Sequence, residues 1–105
     1  MVLPTLEGFI VVQLGDIIRC EADRNYTHLF LHDGRKLTAS RSLKIYEELL
    51  TPNGFQRIHQ SHLVNLSQIR EYKRRKKGGE VLLNNGESYP VSDGRKEAFL
   101  AKFVL

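Results

Sequence analysis

Short apolar segments separated by turn-forming residues run along most of the chain. In YTHLFLH, residues 26–32, the threonine and both leucines fall on one face of an extended strand, and the histidines and phenylalanine fall on the other. Asp33-Gly34 is a typical hairpin turn, and a return strand follows at residues 35–39. Further strands are predicted at residues 9–14, 17–22, 55–59, 63–66, 69–76, 80–83 and 88–91.

Two segments have the residue spacing of helices. Residues 42–50 carry leucine and tyrosine at helical intervals, and Pro52-Asn53-Gly54 ends this segment. The acidic pair Glu47-Glu48 is predicted to face solvent. The last helix opens at Ser92 or Asp93, and its apolar stripe extends to Val104. Many strands without a βαβ rhythm predict a mainly β fold with one short internal helix and a C-terminal helix.

Length and composition fit one small folded domain spanning residues 1–105, because 41% of the residues are hydrophobic. The chain has no run of about 18 apolar residues, and its start lacks the basic region and cleavage site of a signal peptide. Cys20 is the only cysteine, so an internal disulfide cannot form. Together these features predict a cytoplasmic protein with no membrane association.

Positive charge is concentrated in one predicted strand. The net charge is +4, and six of the sixteen lysines and arginines lie in REYKRRKK, residues 70–77. An excess of positive charge suits a polyanionic partner such as a nucleic acid. A run of like charges is also typical of a solvated face. Both interpretations of this strand stay open.

The residues do not predict catalysis or metal binding. His59 and His62 are three apart in a segment that looks extended, which would point their rings to opposite faces. A zinc site needs three or four ligands, and Cys20 has no neighbouring cysteine. Ser61 lies in no nucleophile elbow, and the chain has no phosphate-binding glycine loop. We therefore expect no enzyme activity, metal or cofactor.

Three polar loops remain on the predicted β frame, at residues 24–27, 60–62 and 92–96. Asparagine and glutamine can pair with adenine through two hydrogen bonds, and arginine can pair with guanine in the same way. Each loop alone also has a structural interpretation, since asparagine forms turns and serine caps helices. Their combination with a basic strand favours nucleic-acid binding.

One motif in the chain is specific. The pattern F-x-R-x-H-x-S-x-[LIV]-[VI]-N is met at residues 55–65, and segments at 16–37, 42–50 and 88–100 accompany it in order. On these segments the chain, over about residues 9–103, resembles a LytTR domain. This family is the DNA-binding output module of LytR/AlgR-type bacterial response regulators.

The resemblance implies an elongated stack of antiparallel sheets whose loops enter successive major grooves of DNA. It implies DNA contacts from Asn25, Tyr26, Thr27, Gln60, Ser61, Arg95 and Lys96. Further phosphate contacts are expected from Arg24, Lys73, Arg74 and Arg75. Arg57, His59 and Asn65 are expected to shape loops through hydrogen bonds. Asp93 departs from the family, which often has a basic residue there, so Arg95 or Lys96 would have to supply the contact.

The function that follows is sequence-specific binding of double-stranded DNA by the effector domain of a transcriptional response regulator. A receiver domain in the full-length protein, direct-repeat sites and a dimer on DNA are family expectations. Two alternatives stay open, a module for single-stranded nucleic acid or RNA and a protein-interaction β domain. The salt dependence of binding separates them, because binding through several phosphates weakens steeply with salt.

Overall fold

The computed structural model describes residues 1–103, and Val104 lies outside this part of the chain. Within it the chain forms ten strands and two α-helices. The strands are β1 (Val2–Thr5), β2 (Gly8–Val11), β3 (Ile17–Asp23), β4 (Tyr26–Leu31), β5 (Lys36–Ala39), β6 (Phe55–His59), β7 (His62–Asn65), β8 (Ile69–Arg74), β9 (Gly79–Leu83) and β10 (Ser88–Val91). The helices are α1 (Leu43–Leu50) and α2 (Lys96–Leu100). Short 3-10 turns lie at Leu14–Asp16, Thr51–Asn53, Leu66–Gln68 and Asp93–Arg95.

The strands form three antiparallel sheets. β1 and β2 make a hairpin, the central sheet has the order β5-β4-β3-β7-β6, and the third sheet has the order β10-β9-β8. The described residues extend over 47 × 24 × 22 Å, so the molecule is elongated. The mainly β fold with an internal and a C-terminal helix is therefore confirmed. Pro90 lies on the edge strand β10, where its missing amide costs no ladder hydrogen bond.

The central sheet is buried on both faces, which explains why four consecutive residues of β3 are buried. One face packs against the β1–β2 hairpin and α1, through side chains that include Leu3, Cys20, Leu43, Tyr46 and Leu63. The other face packs against the third sheet and α2, through Ile18, Ile58, Val64, Val81, Leu83, Val91 and Phe99. Ordinary strand alternation lets β3 supply both layers, and the register shift between Ile17 and Arg19 puts Ile17 and Cys20, three residues apart, in the same layer.

The structure differs from the predicted elements at both ends of the chain. The predicted strand at residues 9–14 is instead β2, paired with a first strand, β1, that the sequence pattern did not predict. The turn between them, Leu6-Glu7, lacks a strong turn signal, which is why the hairpin was missed. The C-terminal segment opens with the 3-10 turn Asp93–Arg95, so α2 begins later than predicted.

None of the helices in residues 1–103 is both long enough and apolar enough to cross a membrane.

Candidate nucleic-acid interface

The three polar loops lie side by side because of the register of the central sheet. Glu21 near the end of β3 pairs with His62 at the start of β7, so the β3–β4 and β6–β7 turns lie at the same end of the strands of the central sheet. The Ala22 amide donates to the Ser61 carbonyl at 2.9 Å and joins these two loops. The Ser92 amide donates to the Ile58 carbonyl at 2.8 Å, which holds the loop before α2 beside β6.

The first loop is the two-residue turn Arg24-Asn25, closed by the pair Asp23 and Tyr26. Arg24 has a φ of 57°, a left-handed conformation that is uncommon for a residue with a side chain. Arg24 and Asn25 are exposed, and 51% of Tyr26 is exposed. These three side chains are therefore free to contact a partner.

Thr27 is a correction to the predicted set of DNA contacts. Its side chain is fully buried, and its hydroxyl donates to the Arg41 carbonyl at 2.8 Å. The strand alternation of residues 26–32 puts Thr27 on the core face together with Leu29. Its side chain therefore holds the segment before α1 and is not placed to contact DNA.

The second loop, Gln60-Ser61, is organised by Arg57. The Arg57 guanidinium donates to the His59 carbonyl at 3.0 Å through Nε and to the Gln60 carbonyl through Nη2. The Ser61 amide donates to Nδ1 of His59 at 3.1 Å. These bonds leave the Gln60 side chain exposed and Ser61 partly exposed. Arg57 and His59 thus have the loop-shaping contacts that the resemblance implies.

His59 and His62 do not point to opposite faces, contrary to the prediction. They are partners across the β6–β7 hairpin, with ring centroids 5.4 Å apart. The β-bulge between Arg57 and His59 shifts the register by one residue and brings the rings together. The His62 ring also lies 5.0 Å from the Tyr89 ring, and burial lowers the pKa of His62.

Asn65 has a structural role at the far end of the same hairpin. Its side-chain oxygen accepts from the Ser67 amide at 3.1 Å and from the Ser67 hydroxyl at 2.8 Å. Its amide group donates to the Ile17 carbonyl at 3.0 Å. Asn65 therefore caps the turn after β7 and ties it to β3, as the sequence analysis expected.

The third loop, Ser92–Arg95, lies against the turn between β8 and β9. The Asp93 carboxylate accepts from the Gly78 amide at 3.1 Å. Gly78 has a φ of 69°, and a Cβ there would lie 2.2 Å from the Val91 carbonyl oxygen, so only glycine fits. Arg95 and Lys96 are partly exposed beyond this contact.

The basic strand ends next to the third loop. Ile69 and Tyr72 of β8 are partly buried against the same core, since a register shift between Ile69 and Glu71 interrupts the strand alternation, whereas Lys73 and Arg74 are exposed. Arg75 donates to the Glu80 carboxylate at 2.9 Å, so its charge is partly offset. Because Gly78 bonds to the third loop, the basic residues before it extend the positive surface of the loops.

A cleft of about 360 Å³ separates the first and second loops at the start of α1. Its lining includes Arg24, Lys44, Gln60 and Ser61. Ser42 precedes α1 and makes no side-chain cap, so it leaves first-turn amides of the helix without that partner. The cations Arg24 and Lys44, together with first-turn amides that no side chain caps, make the cleft suited to a negatively charged group.

Two residues of this region were not singled out by sequence reasoning. Arg19 is buried, with its guanidinium 3.8 Å from the Phe30 ring centroid and 4.2 Å from that of Tyr89. It also pairs with the Glu21 carboxylate at 2.9 Å. The sequence signal that could have identified Arg19 is its position inside a mostly apolar strand. Glu47, predicted to face solvent, instead accepts from Arg57 at 2.9 Å.

The structure also bears on metal binding and thiol chemistry, neither of which the sequence predicts. Among residues 1–103, no three histidine, cysteine or acidic side chains are grouped so that they could hold a metal ion. Cys20 is fully buried, and burial raises the pKa of its thiol to about 12, so the thiol stays protonated and unreactive.

The comparisons with known proteins agree with this geometry. The model of the LytTr DNA-binding domain family matches residues 7–103. The CO-responsive transcriptional regulator RcoM of Rhodospirillum rubrum is 29% identical over 94 residues, which are 90% of this chain and 39% of that protein. The chain thus spans about two-fifths of the length of this curated relative.

A solved structure has the same fold. It is the LytTr DNA-binding domain of a protein described as a methyl-accepting/DNA response regulator from Bacillus cereus, and it is 27% identical in sequence. The TM-score is 0.82, and the match covers 96% of this chain and 93% of the other. With a family match over nearly its whole length, the chain belongs to the LytTR DNA-binding domain family.

Proposed function

We propose that this chain is a sequence-specific binder of double-stranded DNA and that it acts by binding, not catalysis. The observation that carries the proposal is that three exposed loops lie side by side at one end of the strands of the central sheet. Two backbone hydrogen bonds, from Ala22 to Ser61 and from Ser92 to Ile58, fix the spacing of these loops. A fixed spacing suits a duplex, whose grooves recur at a constant interval.

The side chains divide into two groups by their chemistry. Asn25 and Gln60 carry amides that can pair with a base edge, and both are exposed at loop tips. Arg24, Lys73 and Arg74 are exposed cations suited to phosphates, which position a protein on DNA without reading its sequence. Arg95 and Lys96 lie at the third loop and can serve either purpose.

The tyrosines favour a duplex over a single strand. Modules for single strands stack unpaired bases on aromatic side chains. Tyr72 packs against Phe99 with ring centroids 5.5 Å apart, and the Tyr89 ring already contacts the Arg19 guanidinium and the His62 ring. Among these candidates only Tyr26 is exposed, and one platform is too few for a stacking surface.

The proposal extends to the regulatory context. RcoM is named a CO-responsive transcriptional regulator and the solved relative a response regulator, so we place this chain as the effector part of a signal-responsive bacterial regulator. We further propose that the full-length protein has a receiver domain and acts in the cytoplasm. We also propose that it binds direct-repeat sites as a dimer formed on DNA.

The experiment that tests the proposal is selection of bound sequences from a random duplex library, at physiological salt and with competitor DNA. We expect an enriched motif of two short elements spaced by about one helical turn. A parallel selection from a single-stranded library should enrich nothing. Absence of a duplex motif, with binding that vanishes as salt rises, would mean generic phosphate affinity and contradict the proposal.

A further inference from the structure

Glu47 on α1 lies between the second and third loops and contacts an arginine from each. Its Oε1 accepts from Nη1 of Arg57 at 2.9 Å, and its Oε2 lies 3.9 Å from Nη1 of Arg95. Arg57 in turn donates to two carbonyls of the second loop. One carboxylate therefore connects the helix to both loops.

The two contacts differ in strength. The Arg57 side chain is only 11% exposed, and its bond to Glu47 is a short charge-assisted hydrogen bond. The Arg95 side chain is 38% exposed, and its distance to the carboxylate is too long for a hydrogen bond. Water and salt screen the second contact much more than the first.

We propose that Glu47 is a positioning residue that couples the second and third loops in the free protein and so sets how selectively they bind DNA. It holds Arg57, and through it the second loop, in one conformation. It restrains Arg95 in the free protein and releases it when a phosphate or base edge competes for the guanidinium. This inference rests on the proposed function, because it assumes that both loops meet DNA.

The coupling makes a prediction that loss of stability alone does not make. Without the carboxylate the second loop is held less firmly, so binding to the selected duplex weakens. Arg95 is then free, and one negative charge is gone, so binding to an unrelated duplex is unchanged or stronger. A variant that merely unfolds more easily binds both duplexes less.

The chain offers a matched control. Glu48 is the adjacent residue of α1, is exposed, and has no hydrogen bond or ion pair within the described residues. Glu48→Ala therefore removes the same charge from the same helix without touching the loops. Glu47→Gln keeps an oxygen that can accept from Arg57 but removes the charge that attracts Arg95.

The first measurement needs no DNA sequence. Amide chemical shifts and nitrogen relaxation would be compared for residues 59–61 and 93–95 in the natural protein, Glu47→Ala, Glu47→Gln and Glu48→Ala. We expect Glu47→Ala to change both loops, Glu47→Gln to change mainly the third, and Glu48→Ala to change neither. A Glu47→Ala variant in which at most one loop differs from the natural protein overturns the proposal.

The second measurement is affinity for the selected duplex and for a scrambled duplex of the same length. We expect Glu47→Ala to lower the ratio of the two affinities about tenfold, equivalent to roughly 1.4 kcal/mol, and Glu48→Ala to leave the ratio unchanged. Parallel losses on both duplexes would reduce Glu47 to a structural role and overturn the coupling. If the natural protein selects no sequence, the proposed function fails, and the measurement on the free protein still decides whether Glu47 couples the loops.

Discussion

The carboxylate of Asp93 accepts a hydrogen bond from the amide of Gly78 at 3.1 Å, and this contact joins the third loop to the turn after the basic strand. Considered as a charge alone, Asp93 only repels phosphate. Considered as an acceptor, it satisfies a donor of a buried glycine whose left-handed backbone no other residue can adopt there. The residue that departs from the family pattern therefore has a structural use.

Replacing Asp93 separates these two effects. Asp93→Ala leaves the Gly78 amide without its partner, and we expect the free energy of unfolding to fall by about 1–3 kcal/mol. Asp93→Asn keeps an acceptor oxygen and should fold nearly as stably, while removal of the negative charge strengthens binding to any duplex. Urea unfolding measures the stability of the two variants, and anisotropy titrations measure their affinity for a duplex. Equal stability of the two variants would show that the hydrogen bond is not needed.

Arg24→Gly should raise stability and lower DNA affinity at once. The left-handed φ of Arg24 costs about 1 kcal/mol for a residue with a Cβ, and glycine removes this cost. The same change removes an exposed cation from the first loop. Thermal unfolding and duplex titration measure the two effects. Arg24→Lys is the control, since it keeps the charge and the strain; a drop in stability for Arg24→Gly would refute the argument.

Regular alternation and turn chemistry made much of the fold predictable. The period of two in YTHLFLH indicated the two faces of β4, and Asp33-Gly34 lies at the turn that was expected from it. The same alternation indicated that Thr27 is buried, a signal in conflict with the DNA contact implied by the family position. In this case the local pattern was the better guide.

The side-chain contacts between elements could not be predicted. The guanidinium of Arg19 contacts the ring of Phe30 on β4 and the ring of Tyr89 on β10. These two aromatic residues are 59 positions apart in the sequence, so no local pattern predicts that they meet at Arg19. Glu47 was expected to face solvent because it is acidic, although its i, i+4 spacing from Leu43 puts it beside the buried face of α1. Only the packing of α1 against β6 brings Arg57 to it.

Gln60 is the strongest candidate for base reading in the second loop. Gln60→Ala should cost about 1–3 kcal/mol on the selected duplex and relax the preference at one position, while an unrelated duplex binds as before. Gln13→Ala is the control, because Gln13 is also exposed but precedes β3, at the end opposite the loops. Competition with single-base variants of the duplex checks this. An unaltered preference would remove Gln60 from the reading set.

Arg74 tests whether the basic strand contacts phosphates. Arg74→Ala should weaken selected and unrelated duplexes alike and reduce the slope of log affinity against log salt by about 1. Lys36→Ala removes an equal charge from β5, where Lys36 pairs with Phe30 away from the loops. It should leave the slope nearly unchanged. If Arg74→Ala behaves like Lys36→Ala, residues 70–77 form a solvated face and do not contact the DNA.

His62 should make stability depend on pH. Burial lowers its pKa in the folded chain, Arg19 and His59 act in the same direction, and Glu21, whose carboxylate oxygen is 3.6 Å from Nδ1, acts against them. A pKa below the unfolded value of 6.5 means that the unfolded chain binds the proton more readily. The stability contributed by neutral His62 is therefore complete above that value and is lost as pH falls through the folded pKa.

The measurement is the free energy of urea unfolding at several pH values between about 5 and 8. His62→Gln cannot take up this proton, so its stability should fall less steeply below pH 6.5 than that of the natural protein, whatever its stability at neutral pH. His32→Gln, at an exposed position, should keep the natural slope. An equally steep fall in His62→Gln would assign the acid sensitivity to another group and leave the partly buried imidazole with a packing role against Tyr89 only.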